Sequence, residues 1–129
     1  MDIVLTLPER TPTLNQWQRM HWAKRRKLTE RFAWLLVQSN RGTRPSVPIA
    51  RCVVSVIRYA PSTLPDLDNL YGGVKPLLDC LVPCSALHPF GLGYVADDNQ
   101  MCITRLDVEA VDTRKTGKAS QTVVTVRPL

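Results

Sequence analysis

Asp66 and Asp68, Lys75, and the adjacent pair Asp97 and Asp98 are the residues whose types and spacing could do chemistry. Residues 65–79 hold three of the chain's eleven acidic residues, although Lys and Arg total 17 and the net charge is +6. In a loop or extended segment, carboxylates two residues apart can turn toward one hard cation, as oxygen-ligand sites for Mg²⁺ require. Asp97-Asp98 offers a third carboxylate. Carboxylates around a divalent ion, with a lysine beside them, fit phosphodiester hydrolysis. The ion activates water and offsets charge on the phosphoryl oxygens, and the lysine acts as a point cation. A basic chain around such a centre suits a polyanionic substrate.

The same residues have plainer uses. Asp66 and Asp68 suit the capping of a following helix, and Lys75 and Asp79 are spaced to pair across one helical turn. Nothing local decides which of the adjacent acids Asp97 and Asp98 would be the ligand. Cys80, Cys84 and His88 offer three soft-metal ligands, but Pro83 and Pro89 interrupt any single helix carrying them. Cys52 and Cys102 add no zinc-type spacing, so the four cysteines read as free thiols in a reducing cytosol. His21 suits a loop hydrogen bond better than general-base work. Trp17 and Trp22 suit a core better than base stacking.

Several elements must position these groups. Residues 2–7 alternate weakly and read as a first strand ended by Pro8, and residues 12–22 read as a loop. From about residue 20 to 39, Leu28, Phe32, Leu35 and Leu36 recur at helical steps as a buried stripe. The other faces carry Lys24, Arg25, Arg26, Lys27 and Arg31, either a solvated surface or a ridge for phosphates. Gly42 and Pro45 end that helix. Residues 48–59 read as a central strand, apolar on both faces, that needs cover on both sides or a subunit contact.

A second helix is expected over much of 67–82. Pro76 sits either in the first turn of a helix starting near Val74 or at a kink four residues after Gly72. Residues 83–96, rich in Pro and Gly, form a loop long enough to suggest a function. Residues 101–108 alternate, with Cys102, Leu106 and Val108 on one face. After a polar turn carrying Arg114, Lys115 and Lys118, Val123, Val124 and Val126 mark the last strand. The two are expected to pair as a hairpin. Asp107, Glu109 and Asp112 read as strand-surface charges. The order β-α-β-α-β-β predicts one α+β domain over 1–129, with two main helices packed on a mixed sheet.

Composition, at 44% hydrophobic and 22% charged, is that of a globular protein and not a disordered one. A domain of this length buries roughly two-thirds of its unfolded surface. No run approaches the roughly 20 apolar residues of a membrane span, and the N-terminus lacks a signal peptide's basic start. A cytoplasmic protein is expected. The pI near 9.5 favours a nucleic-acid partner.

Asp66-Leu67-Asp68-Asn69-Leu70, Lys75 followed by Asp79, and Asp97-Asp98-Asn99-Gln100 before a strand stand in an order that resembles the RusA family of Holliday junction resolvases. The phage-type relatives are the most similar, and Pro12, Asn15 and His21-Trp22 are similar to the family's opening motif. The resemblance covers nearly the whole chain. It implies a homodimeric, structure-selective endonuclease that resolves four-way DNA junctions in recombination and repair. It also implies dependence on Mg²⁺ with Mn²⁺ as a substitute, and a nucleoid-associated, phage- or prophage-encoded origin. By the same resemblance Asp66, Asp68 and Asp98 are metal ligands and Lys75 is catalytic. Asn15 and Arg19 join Lys24, Arg25, Arg26, Lys27 and Arg31 as expected DNA contacts. The chain departs from the shorter bacterial pattern by extra residues around Tyr71-Gly72-Gly73 and by a longer loop between Asp79 and Asp97. A non-catalytic branched-DNA-binding protein, or a nuclease for other branched DNA, would share these features.

Overall fold

The computed structural model describes residues 1–129. Four strands, β1 (Ile3–Leu7), β2 (Cys52–Ala60), β3 (Ile103–Asp112) and β4 (Gln121–Pro128), form a sheet in the order β1-β4-β2-β3. Four helices, α1 (Leu14–Arg19), α2 (Trp22–Ser39), α3 (Leu67–Gly72) and α4 (Lys75–Leu81), complete an α+β domain. The sheet is mixed: β2 runs parallel to β3 and antiparallel to β4. No helix is long and apolar enough to cross a membrane.

Register places the core in rows across one face of the sheet. Ile3, Val126, Val54 and Leu106 form one row, and Leu5, Val124, Val56 and Val108 form the next. Leu28, Phe32 and Leu36 of the expected stripe on α2 are buried in the same core, joined by Ala33, while Leu35 packs against it half-buried. The helix ends at Asn40, with Arg41 and Gly42 at φ 57° and 76° and the Gly42 N–H donating to Val37 O. β2 is central, as its apolar content requires, but only one of its faces is fully buried. Val53, Ser55, Ile57 and Tyr59 stay half-buried on the other.

Two expectations need correction. β3 and β4 do not pair as a hairpin. The turn after β3 passes over the end of β2, where the Thr113 N–H donates to Ala60 O, and β4 returns on the far side of β2. Alternation marks a strand but not its neighbour, and β4 can bury more by inserting between β1 and β2. Residues 12–22 are also not all loop. Thr13 and Gln16 form a capping box, Thr13 Oγ1 accepting from Gln16 N–H and Gln16 Oε1 from Thr13 N–H, and this starts α1.

The expected second helix divides into α3 and α4, with Gly73 and Val74 between them in right-handed conformation. Pro76 lies in the first turn of α4, where its missing N–H costs no helical bond. A row of two polar residues closes the sheet near this point. Arg58 Nε donates to Thr11 O at 2.8 Å, and Thr122 Oγ1 donates to Glu9 O at 2.9 Å. These bonds hold the 9–12 segment so close to Gly73 that a Cβ there would lie 1.8 Å from Pro12 O. A Cβ on Gly72 would meet Leu14 at 2.8 Å. The two glycines therefore let the N-terminal segment seat against α3.

Cys80 fastens α4 to α2. Its buried Sγ lies 3.3 Å from Thr29 O and 3.2 Å from Pro76 O. Burial, with the Asp79 charge adding to it, pushes this thiol from 9.0 up to about 12. The proton is thus held more tightly in the folded chain. The stability it contributes is complete below pH 9.0 and is lost as the pH climbs toward about 12. At about pH 8, a thiol reagent should label exposed Cys84 quickly and Cys80 only on unfolding; equal labelling rates would contradict this packing. Gly73→Ala should lower stability by about 1–3 kcal/mol, as over-packing does, measured by chemical denaturation. An unchanged midpoint would mean that the 9–12 segment yields freely.

Candidate functional site

Asp79, His88 and Asp98 arrive from three separate segments, and one ligand atom from each lies within 4.8 Å of the others. Asp79 stands on α4. His88 is carried by the 83–96 loop, which folds back and is held at many points. Leu92, Gly93 and Val95 donate their N–H groups to Cys80, Val82 and Leu81 carbonyls, and Val95 pairs with Ile49. Fully buried Tyr94 and Val95 anchor its end in the core. Next to His88 the loop closes a tight turn, with Ser85 N–H donating to His88 O and His88 N–H donating to Ser85 Oγ.

Asp98 is presented by a turn that Asp97 builds. Asp97 Oδ1 accepts from Asp98 N–H at 2.7 Å and its Oδ2 from Asn99 Nδ2 at 3.0 Å. Asn99 Oδ1 in turn accepts from Met101 and Cys102 N–H. Both Asp97 oxygens are thus engaged locally, while the Asp98 carboxylate makes no hydrogen bond or ion pair within the protein. A cleft of about 500 Å³ opens beside Asp98, lined by Leu78, Gln100, Thr104 and Arg105 among others.

Charge in this group is incompletely balanced. Lys75 Nζ lies 3.5 Å from Asp79 Oδ1, and His88 Nδ1 lies 3.6 Å from the same oxygen. His88 Nδ1 is buried and has no hydrogen-bond partner, a costly state for a polar atom unless another group meets it. Two carboxylates and an imidazole nitrogen are a donor set that a divalent cation accepts. The three residues could hold a metal ion.

Asp66 and Asp68 stand apart from this group. Asp66 occupies the N-cap position of α3 without making a cap bond, and Asp68 falls in the first turn. Both are exposed and carry no ion pair. The expected set of Asp66, Asp68 and Asp98 is therefore not gathered into one cluster. Its premise was a loop at 66–68, whereas the helix begins at once, and residues two apart on a helix do not face each other. Lys75 pairs with Asp79, the plainer of its two expected uses, and at 60% side-chain exposure it forms the rim of the cluster. Asp79 and His88 were not expected as partners of Asp98. The Lys75–Asp79 spacing, the suspect loop and the weighing of His88 with Cys80 and Cys84 as soft-metal ligands pointed toward them, but not toward their meeting with Asp98.

The expected DNA contacts also divide. Arg25 donates to Trp17 O and Gln18 O and lies over the Trp17 ring, so it closes α1 and is not free for phosphate. Arg31 binds both Glu9 carboxylate oxygens, which raises its pKa. Arg26 stacks on Phe90 of the loop. Asn15 is exposed at the start of α1, its N–H donating to Asn69 Oδ1. Arg19, Lys24 and Lys27 remain exposed and unpaired. His21 caps α2, with Nδ1 accepting from Ala23 N–H. Trp17 is core, and Trp22 is 69% exposed.

If these three residues hold an ion, Mn²⁺ at 100 times its dissociation constant should stabilise the fold by about 2.7 kcal/mol. His88→Gln and Asp98→Asn should each remove most of that gain in thermal denaturation, whereas Asp66→Asn should not. No stabilisation of the wild-type chain would show that the three groups do not hold a metal. A scan against protein-family models gives no match to this chain, and a search of curated proteins gives none either.

Proposed function

We propose that this chain is a divalent-metal-dependent endodeoxyribonuclease acting on branched DNA, four-way junctions above all, as a RusA-like homodimer. The observation that carries the reading is the group of Asp79, His88 and Asp98 beside Lys75, on a chain of net charge +6. Asp79, His88 and Asp98 would hold the ion, Mg²⁺ or the more imidazole-tolerant Mn²⁺. When bound, the ion supplies Lewis-acid activation of water and charge neutralisation at the phosphodiester. Lys75 sets a cation at the cluster's rim, where a scissile phosphate would gain from it. The unpaired Arg19, Lys24 and Lys27 add a sequence-independent attraction for the strand.

A homodimer suits two nicks on opposed strands. The half-buried face of β2, with Val53, Ile57 and Tyr59, offers a surface for the second copy. Ile57→Glu should then yield a monomer by analytical ultracentrifugation, and an unchanged mass would remove this face from the interface.

A second reading is favoured by the separation of Asp66 and Asp68 from Asp98: a branched-DNA-binding protein that does not cut. Cleavage of a labelled four-way junction in Mg²⁺, in Mn²⁺ and in EDTA, with linear duplex as control, decides between the two. The nuclease reading expects metal-dependent nicking of the junction alone. Asp98→Asn should lower the rate by at least about 100-fold, beyond the 10–100-fold typical of losing an outer partner of a metal site, while junction affinity holds or rises. Tight binding without cleavage in either metal would establish the second reading. Asp68→Asn locates the centre: full loss of cutting would mean that the first turn of α3 unwinds to bring Asp68 in.

A further inference from the structure

A second charged site lies at the segment seated against Gly73. A cleft of about 500 Å³ separates the 10–12 segment from α1 and the start of α2. That volume falls within the roughly 300–1,000 Å³ of small-ligand sites, more than a bare inorganic ion needs. Arg10, Arg19, His21 and Lys24 line it, with no acidic residue among its walls. None of the three basic side chains is ion-paired. The His21 Nδ1 accepts from Ala23 N–H, which leaves the proton of the neutral ring on Nε2 as a donor.

A buried hydroxyl without a partner and a buried cation bonded to the same residue stand at this cleft. Thr11 is 0% exposed and its Oγ1 has no hydrogen-bond partner. Arg58 is 5% exposed, and its guanidinium makes one bond, from Nε to Thr11 O, and no ion pair. Burial and the neighbouring Arg10 both lower its pKa. A buried cation next to a second cation, without a carboxylate, is an arrangement that an anion relieves.

We propose that this cleft is a phosphate-binding subsite that grips the backbone of the DNA strand presented to the acidic cluster. Arg10, Arg19 and Lys24 supply the charge, and the His21 Nε2–H and Thr11 hydroxyl supply directed donors. Pro12 and Met20 provide an apolar wall for the sugar. The segment that shapes the cleft is the one seated on Gly73, and Asn15 N–H donates to Asn69 Oδ1 of α3. A strand held here is thus fixed relative to the helices bearing Asp68, Lys75 and Asp79. The assignment to DNA rests on the nucleic-acid reading above.

The test uses the full chain in EDTA, so that its outcome is independent of cleavage. Inorganic phosphate, compared with chloride at matched ionic strength, should raise the melting temperature of the wild type. It should not raise that of the exposed-residue double variant Arg19→Gln/Lys24→Gln, and Thr11→Val should show a reduced rise while still folding. For a four-way junction, the double variant should lose about tenfold or more in affinity, and the salt slope should fall by about 2, from roughly 0.9 per phosphate contact. No phosphate-specific rise in the wild type would overturn the site. A phosphate response lost in the double variant, with junction affinity and salt slope unchanged, would make it a free-anion pocket and overturn its assignment to DNA. If these results hold but the junction is never cut with metal, the subsite stands and the nuclease reading falls.

Discussion

The bond from Arg58 Nε to Thr11 O is the constraint on which the functional half of the molecule depends. It lies in the sheet row Leu7, Thr122, Arg58 and Ala110, whose two buried polar side chains both bind the 9–12 segment and where a charge is expensive to bury. With Thr122 binding Glu9 O, it turns the chain after β1 back over the end of the sheet. That places Pro12 against Gly73 and Leu14 against Gly72, and α3 takes its position from them. Arg31 secures the same segment from α2 through Glu9. Four elements far apart in sequence thus meet at a segment with no regular structure of its own.

Much of this fold was legible because burial has a period. The α2 stripe, the central β2 and the placement of Pro76 all followed from patterns contained within a single element. Pairing partners did not. β3 and β4 are joined by a short polar turn, the usual sign of a hairpin, yet each borders β2 from opposite sides. What decides this is burial summed over the sheet: β4 has neighbours on both edges, while β3, with exposed Thr104, Arg105, Glu109 and Val111, tolerates an edge. For α1 a signal was present. Thr13 and Gln16 have capping-box spacing, but the early prolines and the brevity of the helix masked it.

The candidate site was legible in kind and not in membership. Local acidity at 66–79 and the pair at 97–98 pointed to the region of the candidate cluster, which takes in Asp79 and Asp98 and leaves out Asp66 and Asp68. His88 could not be ranked, because its contact with Asp79 is made by a loop whose return path depends on Tyr94 and Val95 in the core. The basic ridge of α2 shows the same limit. Charge density alone does not reveal that Arg25 is spent on α1 carbonyls and Arg31 on Glu9, leaving Arg19, Lys24 and Lys27 available. A cation's value for binding is set by what its neighbours have already claimed.

Cationic and acidic groups held on adjoining parts of one fold would suit a polyanion. Gly73, on which the cationic cleft's segment is seated, leads through Val74 into α4, which carries Lys75 and Asp79 of the acidic group. Under the proposed function, a phosphate gripped at the cleft would leave other phosphates of the same strand to meet Lys75 and the carboxylates. The arrangement also resolves an electrostatic conflict. Carboxylates free of a cation repel a phosphodiester, so the affinity that brings the strand in must come from elsewhere on the chain. The cleft's segment is seated on Gly73, just ahead of α4, and the Arg58-pinned segment is what would hold the cleft in place relative to that helix.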